Sequence, residues 1–392
     1  MSEARGVAVL GATGSIGSSA LKVLARHQDR FRVTSLTAGR RAAELDQLAV
    51  RWNPDYVVLA KSAEGAAART WGGEWRCGSE AMKDAAADSA APIVVNALVG
   101  FAGLESTLAA LGAGKRLALA NKESLVVGGD LVLNAALSGG GELLPVDSEH
   151  SAILQCLGGR PTSEVHRVIL TASGGPFREW PASRFASIGP EDALAHPTWS
   201  MGDKITVDSA TLANKALEVI EAHLLFGLDF DAIDVVVHPA SIVHSMVEFN
   251  DGSTVSQLGH PTMEIPIQYA LSAPEHLPNE FRSFDPVEAS PLEFERLRLE
   301  DFPMFELGVE AGRSGGTAPA VYNAANEVAV RAFLDGRLGF LGIPDVVETV
   351  LSSMPTTPVE SLEHLVEVDA EARSRSRESV GTPLATRGDS TP

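Results

Sequence analysis

The chain has 392 residues, 45% hydrophobic and 21% charged, an ordinary globular balance with length for two or three domains. A formal net charge of −20 argues against nucleic acid as a partner, because a phosphate backbone is bound through basic patches. Two cysteines, Cys77 and Cys156, allow one bridge at most and read as inert thiols of a reducing cytoplasm. The apolar run before Gly11 is too short for a signal-peptide core, and no later run reaches membrane-spanning length.

The first part of the chain alternates short apolar runs with amphipathic stretches. Strands are expected at Val7–Leu10, Arg32–Thr37, Tyr56–Leu59, Ile93–Asn96, Leu117–Ala120 and Glu142–Val146. This spacing predicts an α/β fold with a parallel, doubly wound sheet. The first strand runs into "GATGSIG". There Gly11 suits a tight turn, Gly14 lets backbone N–H groups approach a pyrophosphate, and Gly17 lets helix and strand pack closely. The second strand ends "TAGRRAAEL", with Arg40 and Arg41 and no acid before Glu44. An NAD site wants an acid at that point, whereas two guanidiniums suit a 2′-phosphate. Two solvated arginines are the competing reading. Cations at a helix N-terminus are unfavourable, so their placement needs a reason, and NADP(H) is the expectation.

Asn121, Lys122 and Glu123 of "LANKESLV" follow a parallel strand at its C-terminal end, where such sheets bind ligands. The next strand ends "PVDSEHSAILQC", with Asp147 and Glu149 on either side of Ser148. Two readings fit: a cation site, or a solvated turn with an N-cap.

From Ser148 the pattern becomes mixed α+β. A strand "HRVILTA" enters the glycine loop "SGGPF". After the loop "IGPEDALAHPTWSMGDK" come a short strand "ITV" and a long helix "SATLANKALEVIEAHLLF". Asn214, Lys215 and Glu218 share one face of that helix. Further strands follow in 234–259, with a hairpin at Asp251-Gly252. Residues 272–299 read as a linker, 300–372 as a helical bundle, and 373–392 as a low-complexity, disordered tail. Residues 281–371 carry 17 acidic against 6 basic residues, which reads as a solvated helical surface and puts anion-handling chemistry upstream.

Taken together, "GATGSIG", "LANKESLV", "PVDSEHSAI", "SGGPFR", "HPTWSMGDKITVDSATLANKALEVIEAH", "VHPASIVHSMVEF", "PTMEIPIQYAL" and "NAANEVAV" resemble the 1-deoxy-D-xylulose 5-phosphate reductoisomerase family, in family order. The resemblance implies an N-terminal Rossmann-like NADPH-binding domain (1–147), a central α+β catalytic and dimerisation domain (148–271), the linker, and a C-terminal helical bundle. It implies rearrangement of 1-deoxy-D-xylulose 5-phosphate to a branched aldehyde phosphate. NADPH then reduces this to 2-C-methyl-D-erythritol 4-phosphate, an early step of the non-mevalonate isoprenoid route.

The family requires a divalent metal, and by resemblance Asp147, Glu149 and Glu218 are its ligands. Three carboxylates suit Mg²⁺ or Mn²⁺. The metal would chelate the substrate's ketone and adjacent hydroxyl and stabilise an enolate. Lys122 would lie against the substrate oxygens, adding charge or relaying protons. Ser148 and Glu149 would touch the substrate. Its phosphate would fall to Ser173, Ser209, Asn214 and Lys215, with His196 nearby and Gly174 and Gly175 exposing backbone N–H groups. Thr13, Gly14, Ser15 and Ile16, then Gly39, Arg40 and Arg41, then Asn121, Glu123 and Gly202 would bind the cofactor. Arg40-Arg41 departs from the lysine and asparagine expected in much of the family.

Within "AHPTWSMGDK", Trp199 and His196 are expected on a loop that closes over the substrate. His27 and His223 have no expected role, and His238 is either catalytic support or structure. The family suggests a homodimer through the strands around Ile242–Leu258, with no membrane partner. Another NADP-dependent dehydrogenase, of the semialdehyde or homoserine type, is the alternative. It shares the nucleotide domain but leaves the three acids and the phosphate pocket without a purpose. A non-enzymatic NADP-binding sensor would need a degraded site, and each matched position is filled.

Overall fold

The computed structural model describes residues 4–61, 69–199, 201–281 and 284–381. The chain divides into two compact units. The first comprises residues 1–171, 224–234 and 242–292, and the second 172–223, 235–241 and 293–392.

The first unit is built on strands β1 (Arg5–Leu10), β2 (Phe31–Ala38), β3 (Tyr56–Leu59), β4 (Glu74–Cys77), β5 (Ile93–Asn96), β6 (Arg116–Leu119) and β7 (Glu142–Pro145). Helices α1 (Ser15–Arg26), α2 (Ala42–Trp52), α3 (Ser79–Ala87), α4 (Leu104–Gly112) and α5 (Lys122–Gly139) alternate with them. All neighbours pair in parallel, in the order β4–β3–β2–β1–β5–β6–β7. The six expected strands are present; β4 is an additional edge strand. Val7, Val9, Leu36, Leu59, Ile93 and Val95 are buried in one apolar cluster with Leu24 of α1 and Leu45 of α2. Each such burial contributes roughly 1.5–3 kcal/mol before chain entropy is set against it.

Strand order reverses between β1 and β5, and the glycine turn stands there. Gly11 has φ +80°, and a Cβ on it would lie 2.5 Å from the Ala97 carbonyl oxygen just beyond β5. A Cβ on Gly17 would lie 2.3 Å from the Gly11 carbonyl oxygen. One glycine supplies the left-handed turn and the other the close helix–strand approach.

Helix α6 (Ser148–Leu157) leads to β8 (Val165–Ala172). Later come α7 (Pro190–Leu194), α8 (Asp203–Thr211), α9 (Ala213–Phe226), β9 (Ile233–Val237), β10 (Val243–Phe249), β11 (Thr254–Leu258) and α10 (Glu264–Ser272). A second sheet has the order β11–β10–β8–β9, with β10 antiparallel to both β8 and β11. Asp251 and Gly252 lie in the β10–β11 turn, as expected.

The expected strand "ITV" is instead part of α8. The Thr206 hydroxyl donates to the Gly202 carbonyl, and Lys204 pairs with Asp208 at i+4, so local bonds favour the helix over β-branched propensity. The long helix expected from Ser209 is two helices, because Leu212 takes φ +64° between them.

Helices α11 (Pro303–Ser314), α12 (Ala318–Leu334), α13 (Gly342–Ser353) and α14 (Leu362–Gly381) belong to the second unit. Its core contains the rings of Phe177, Phe185, Phe302, Phe333 and Phe340. The expected disorder from residue 373 is corrected over 373–381. α14 continues to Gly381, Arg373 is clamped by Asp369 and Glu327, and Ser376 is buried. The rest of the expected tail, 382–392, lies outside the described residues. Among the described residues, no helix is long and apolar enough to cross a membrane.

Candidate active site

The residues expected to bind the nucleotide stand at the C-terminal ends of β1 and β2. Gly14 caps α1 with extended backbone, which leaves the first-turn N–H groups of Ser15 and Ile16 pointing out of the helix end. Thr13 is half-buried and Ser15 exposed, while Ile16 packs on the core. Beyond β2, Gly39 has open space on its Cβ side, and Arg40 and Arg41 are exposed. Arg41 pairs with Glu44 at 3.2 Å. A surface pair of this kind contributes little, so the guanidinium can exchange it for a phosphate.

Asn121 caps α5 and is 1% exposed. Its amide donates to the carbonyls of Leu98 (3.1 Å) and Gly100 (3.0 Å) and to Glu123 (3.1 Å). Its carbonyl oxygen accepts from the Ser124 hydroxyl. Asn96 braces the same loop through the Gly103 carbonyl and Thr107. The sequence reading missed these supports, because a buried Ser or Asn has no periodic signature.

Lys122 follows β6, and Asp147 follows the neighbouring strand β7. The Lys122 Nζ is 2.5 Å from Asp147 Oδ2. Asp147 Oδ1 accepts the Glu149 backbone N–H at 3.2 Å, and the His150 Nδ1 is also at 3.2 Å. Of the two readings of this turn, the N-cap is present: Oδ1 of Asp147 caps α6, while Oδ2 takes the Lys122 ammonium. The Ser148 hydroxyl donates to the Glu149 carboxylate. His150 is buried and stacks on Phe226.

In the second unit, the Ser173 hydroxyl is 3.1 Å from His196 Nε2. His196 Nδ1 accepts the backbone N–H groups of Thr198 (3.1 Å) and Trp199 (2.9 Å). Nδ1 is therefore unprotonated, and Nε2 carries the proton and donates to Ser173. Burial lowers the His196 pKa below its usual 6.5. Gly174 (φ +83°) and Gly175 (φ +68°) follow Ser173, and a Cβ on Gly175 would lie 2.8 Å from the Ser209 carbonyl oxygen.

On α9, Asn214 and Lys215 both donate to Glu218, so the expected helical face exists. Trp199 is half-buried, Gly202 is exposed, and Ser200 of the same loop lies outside the described residues. His238 is buried. It bonds the Glu293 carbonyl through Nδ1 at 2.7 Å and stacks on Phe294. Cys156 is buried, which pushes its thiol pKa up to about 11, whereas Cys77 is exposed.

A doubly wound parallel sheet, a glycine turn at its switch point and a lysine–acid pair at the strand ends define a nucleotide-dependent oxidoreductase. Comparison with known proteins narrows the class. Residues 7–129 match the family model described as 1-deoxy-D-xylulose 5-phosphate reductoisomerase. Residues 143–226 match that of the 1-deoxy-D-xylulose 5-phosphate reductoisomerase C-terminal domain, and 258–375 that of the DXP reductoisomerase C-terminal domain. The enzyme so named from Xanthomonas campestris pv. campestris (strain 8004) is 51% identical over 379 residues, covering 95% of this chain and 96% of the relative. That of Chloroherpeton thalassium is 48% identical, with 94% and 96% coverage.

The solved Zymomonas mobilis reductoisomerase in complex with NADPH superimposes with a TM-score of 0.90 at 42% identity, covering 98% of this chain and 100% of its own. A DOX-P reductoisomerase in complex with NADPH, fosmidomycin and magnesium gives 0.89 at 38% identity, covering 96% and 98%. The chain belongs to the 1-deoxy-D-xylulose 5-phosphate reductoisomerase family.

Proposed function

We propose that this chain converts 1-deoxy-D-xylulose 5-phosphate to 2-C-methyl-D-erythritol 4-phosphate with NADPH and a divalent metal, in the non-mevalonate route to isoprenoids. The observation that carries this reading is 51% identity, over 95% of the chain, to a relative named for that activity. Relatives solved with NADPH, and with fosmidomycin and magnesium, support it. The semialdehyde or homoserine alternative is not favoured.

Asp147, Glu149 and Glu218 are the proposed metal ligands. Their donor set fits Mg²⁺ or Mn²⁺: it is all carboxylate, with neither thiolate nor imidazole. The bound metal supplies Lewis acidity to the substrate's ketone and hydroxyl, and NADPH supplies the reducing equivalents. Lys122, already on Asp147, presents its ammonium to the substrate oxygens and can hold or release a proton at Nζ. Ser148 and Glu149 orient the substrate.

Ser173, Ser209, Asn214 and Lys215 receive its phosphate, beside the backbone N–H groups of Gly174 and Gly175, with His196 donating from Nε2. Asn214 and Lys215 also donate to Glu218, so the phosphate residues steer the third acid. Trp199 covers the carbon backbone and excludes water. Thr13, Gly14, Ser15 and Ile16 hold the pyrophosphate, Gly39, Arg40 and Arg41 the 2′-phosphate end, and Asn121, Glu123 and Gly202 the rest of the cofactor.

The domain assignments 1–147 (nucleotide), 148–271 (catalysis and dimerisation) and 300–372 (helical) belong to the same proposal. So do a cytoplasmic location and a homodimer through 242–258. The edge position of β11 supports the dimer, since an edge that pairs with no further strand among the described residues, with Val255 exposed, invites a partner strand. The activity is tested by NADPH oxidation with 1-deoxy-D-xylulose 5-phosphate after chelation, with and without added Mn²⁺. Metal-restored turnover is expected. Absence of turnover with the metal supplied rejects the function.

A further inference from the structure

Asp208 stands one residue before Ser209 on α8 and is 1% exposed. A buried carboxylate needs partners, and it has two of them from different places. The Lys204 ammonium, at the end of the loop that carries Trp199, lies 2.7 Å from Oδ2. The Asn326 amide, on α12, donates to Oδ1 at 2.8 Å.

The orientation of Asn326 is informative. Asn326 is fully buried, and its own carbonyl oxygen meets no donor among the described residues. An unmet buried acceptor is unfavourable, so a turned amide would be expected if the neighbour were neutral. The carboxylate of Asp208 forbids the turn, because two acceptors would then face each other. The fold keeps an unmet acceptor on α12 in order to keep a donor on Asp208.

Tyr322, one turn earlier on α12, lies within the field of the same carboxylate. Its phenol pKa is raised far above the ordinary range, first by burial and then by Asp208, and its hydroxyl donates to the Met304 carbonyl at 2.9 Å. The neighbouring helix is seated on the same bundle. A Cβ on Gly308 of α11 would lie 2.6 Å from the Ala216 Cβ, and Ala216 adjoins Lys215. Both helices that carry Ser209, Asn214 and Lys215 therefore rest on C-terminal elements, one through a polar bond and one through close packing.

We propose that Asp208 is a positioning residue that registers the phosphate-receiving residues and the end of the Trp199 loop against the C-terminal helices through Asn326. The inference rests on the assignment of Ser209, Asn214 and Lys215 to the substrate phosphate. It gives the C-terminal helices a role in substrate affinity, although they supply none of the proposed contacts.

The test uses the full chain with Asp208→Asn, Asn326→Leu and, as a control, Lys215→Ala. The readouts are KM and kcat for the phosphorylated substrate, the inhibition constant of inorganic phosphate, and the Kd of NADPH. Loss of a charge-assisted bond corresponds to about tenfold or more, so KM and the phosphate inhibition constant should rise by that factor in both Asp208→Asn and Asn326→Leu. The kcat should stay within about threefold and NADPH affinity should hold, a split that general loss of packing does not produce.

Unchanged KM and phosphate inhibition in both variants overturn the inference, as does an equal loss of NADPH affinity. If Asp208→Asn fails to fold, Asn326→Leu decides alone, since it removes the donor and leaves the ion pair with Lys204. If Lys215→Ala leaves phosphate inhibition unchanged, the phosphate assignment itself is wrong, a failure distinct from that of Asp208.

Discussion

Lys122 Nζ lies 2.5 Å from Asp147 Oδ2 across 25 residues of sequence, because each residue stands just beyond the C-terminal end of one of two neighbouring parallel strands. The pair puts a nearly buried ammonium against an acid that is also a proposed metal ligand. Lys215 on Glu218 repeats the arrangement in the second unit. Two of the three proposed ligands are thus held in place by a cation from their own unit.

Asp147→Asn should abolish turnover, because a neutral amide binds Mg²⁺ or Mn²⁺ poorly and leaves the Lys122 ammonium facing a dipole. NADPH binding, proposed at the separate glycine turn after β1, should be nearly unaffected. Fluorescence titration of NADPH, beside an activity assay over a range of Mn²⁺, checks both parts. Full turnover in chelator-treated buffer would count against the metal assignment.

Arg40 and Arg41 should select the cofactor. A charged contact to a 2′-phosphate is worth roughly 1.5–3 kcal/mol, so replacing both by Ala should weaken NADPH by at least about tenfold. NADH, which lacks that phosphate, should bind as before. Equal losses for the two cofactors would return these arginines to the solvated surface.

His196 predicts an acid limit. Its pKa is depressed by burial, so the folded state holds it neutral while the unfolded chain titrates near 6.5. The unfolded state then binds more protons below that value. The stabilisation is whole above pH 6.5 and is lost as pH falls from there through the depressed folded pKa. Protonation would also put an N–H at Nδ1 against those of Thr198 and Trp199. Thermal unfolding of the wild type and His196→Gln between pH 5 and pH 8 gives the check, with a shallower acid slope expected in the variant.

The Trp199 loop should be more protected when substrate is bound. Between α7 and α8 it has no regular structure among its described residues, and the backbone N–H groups of Thr198 and Trp199 bond His196 within the loop itself. Trp199→Ala should lower turnover and phosphonate affinity with little change in stability. Hydrogen exchange over 196–204, with and without a phosphonate analogue, is the measurement. Amides already strongly protected in the free protein, and unchanged by the analogue, would make Trp199 a core residue.

The end of α14 should matter for stability. Burial works against the Arg373 charge, but Asp369 and Glu327, at 2.6 and 2.7 Å, outweigh it and raise its pKa. Arg373→Ala leaves two partly buried acids side by side and should destabilise the fold by about 2 kcal/mol, readable by urea denaturation. A change indistinguishable from zero would mean that the clamp is only a surface pair.

Much of this molecule is legible in its residues because the signals are local. Apolar runs of strand length, a glycine turn opening an amphipathic helix, and a polar sector on α9 each depend on neighbours a few residues away. They were enough to predict the parallel sheet, its nucleotide turn and the acids at a strand end. Local signals fail where the partner is remote. "ITV" has strand propensity yet forms the middle of α8, where Asp208 answers to Lys204 and to Asn326 of α12. "EWRC" is too charged to read as a strand yet pairs along β3. The arginine-rich stretch from 373 reads as a tail until Glu327, 46 residues away, supplies a counter-charge. Residue types alone left Asp147 between a cation site and a solvated turn with an N-cap. Only the order of the strands decided that the Lys122 ammonium would stand against it, because sheet neighbours are chosen by how helices cover the whole sheet and not by distance along the chain.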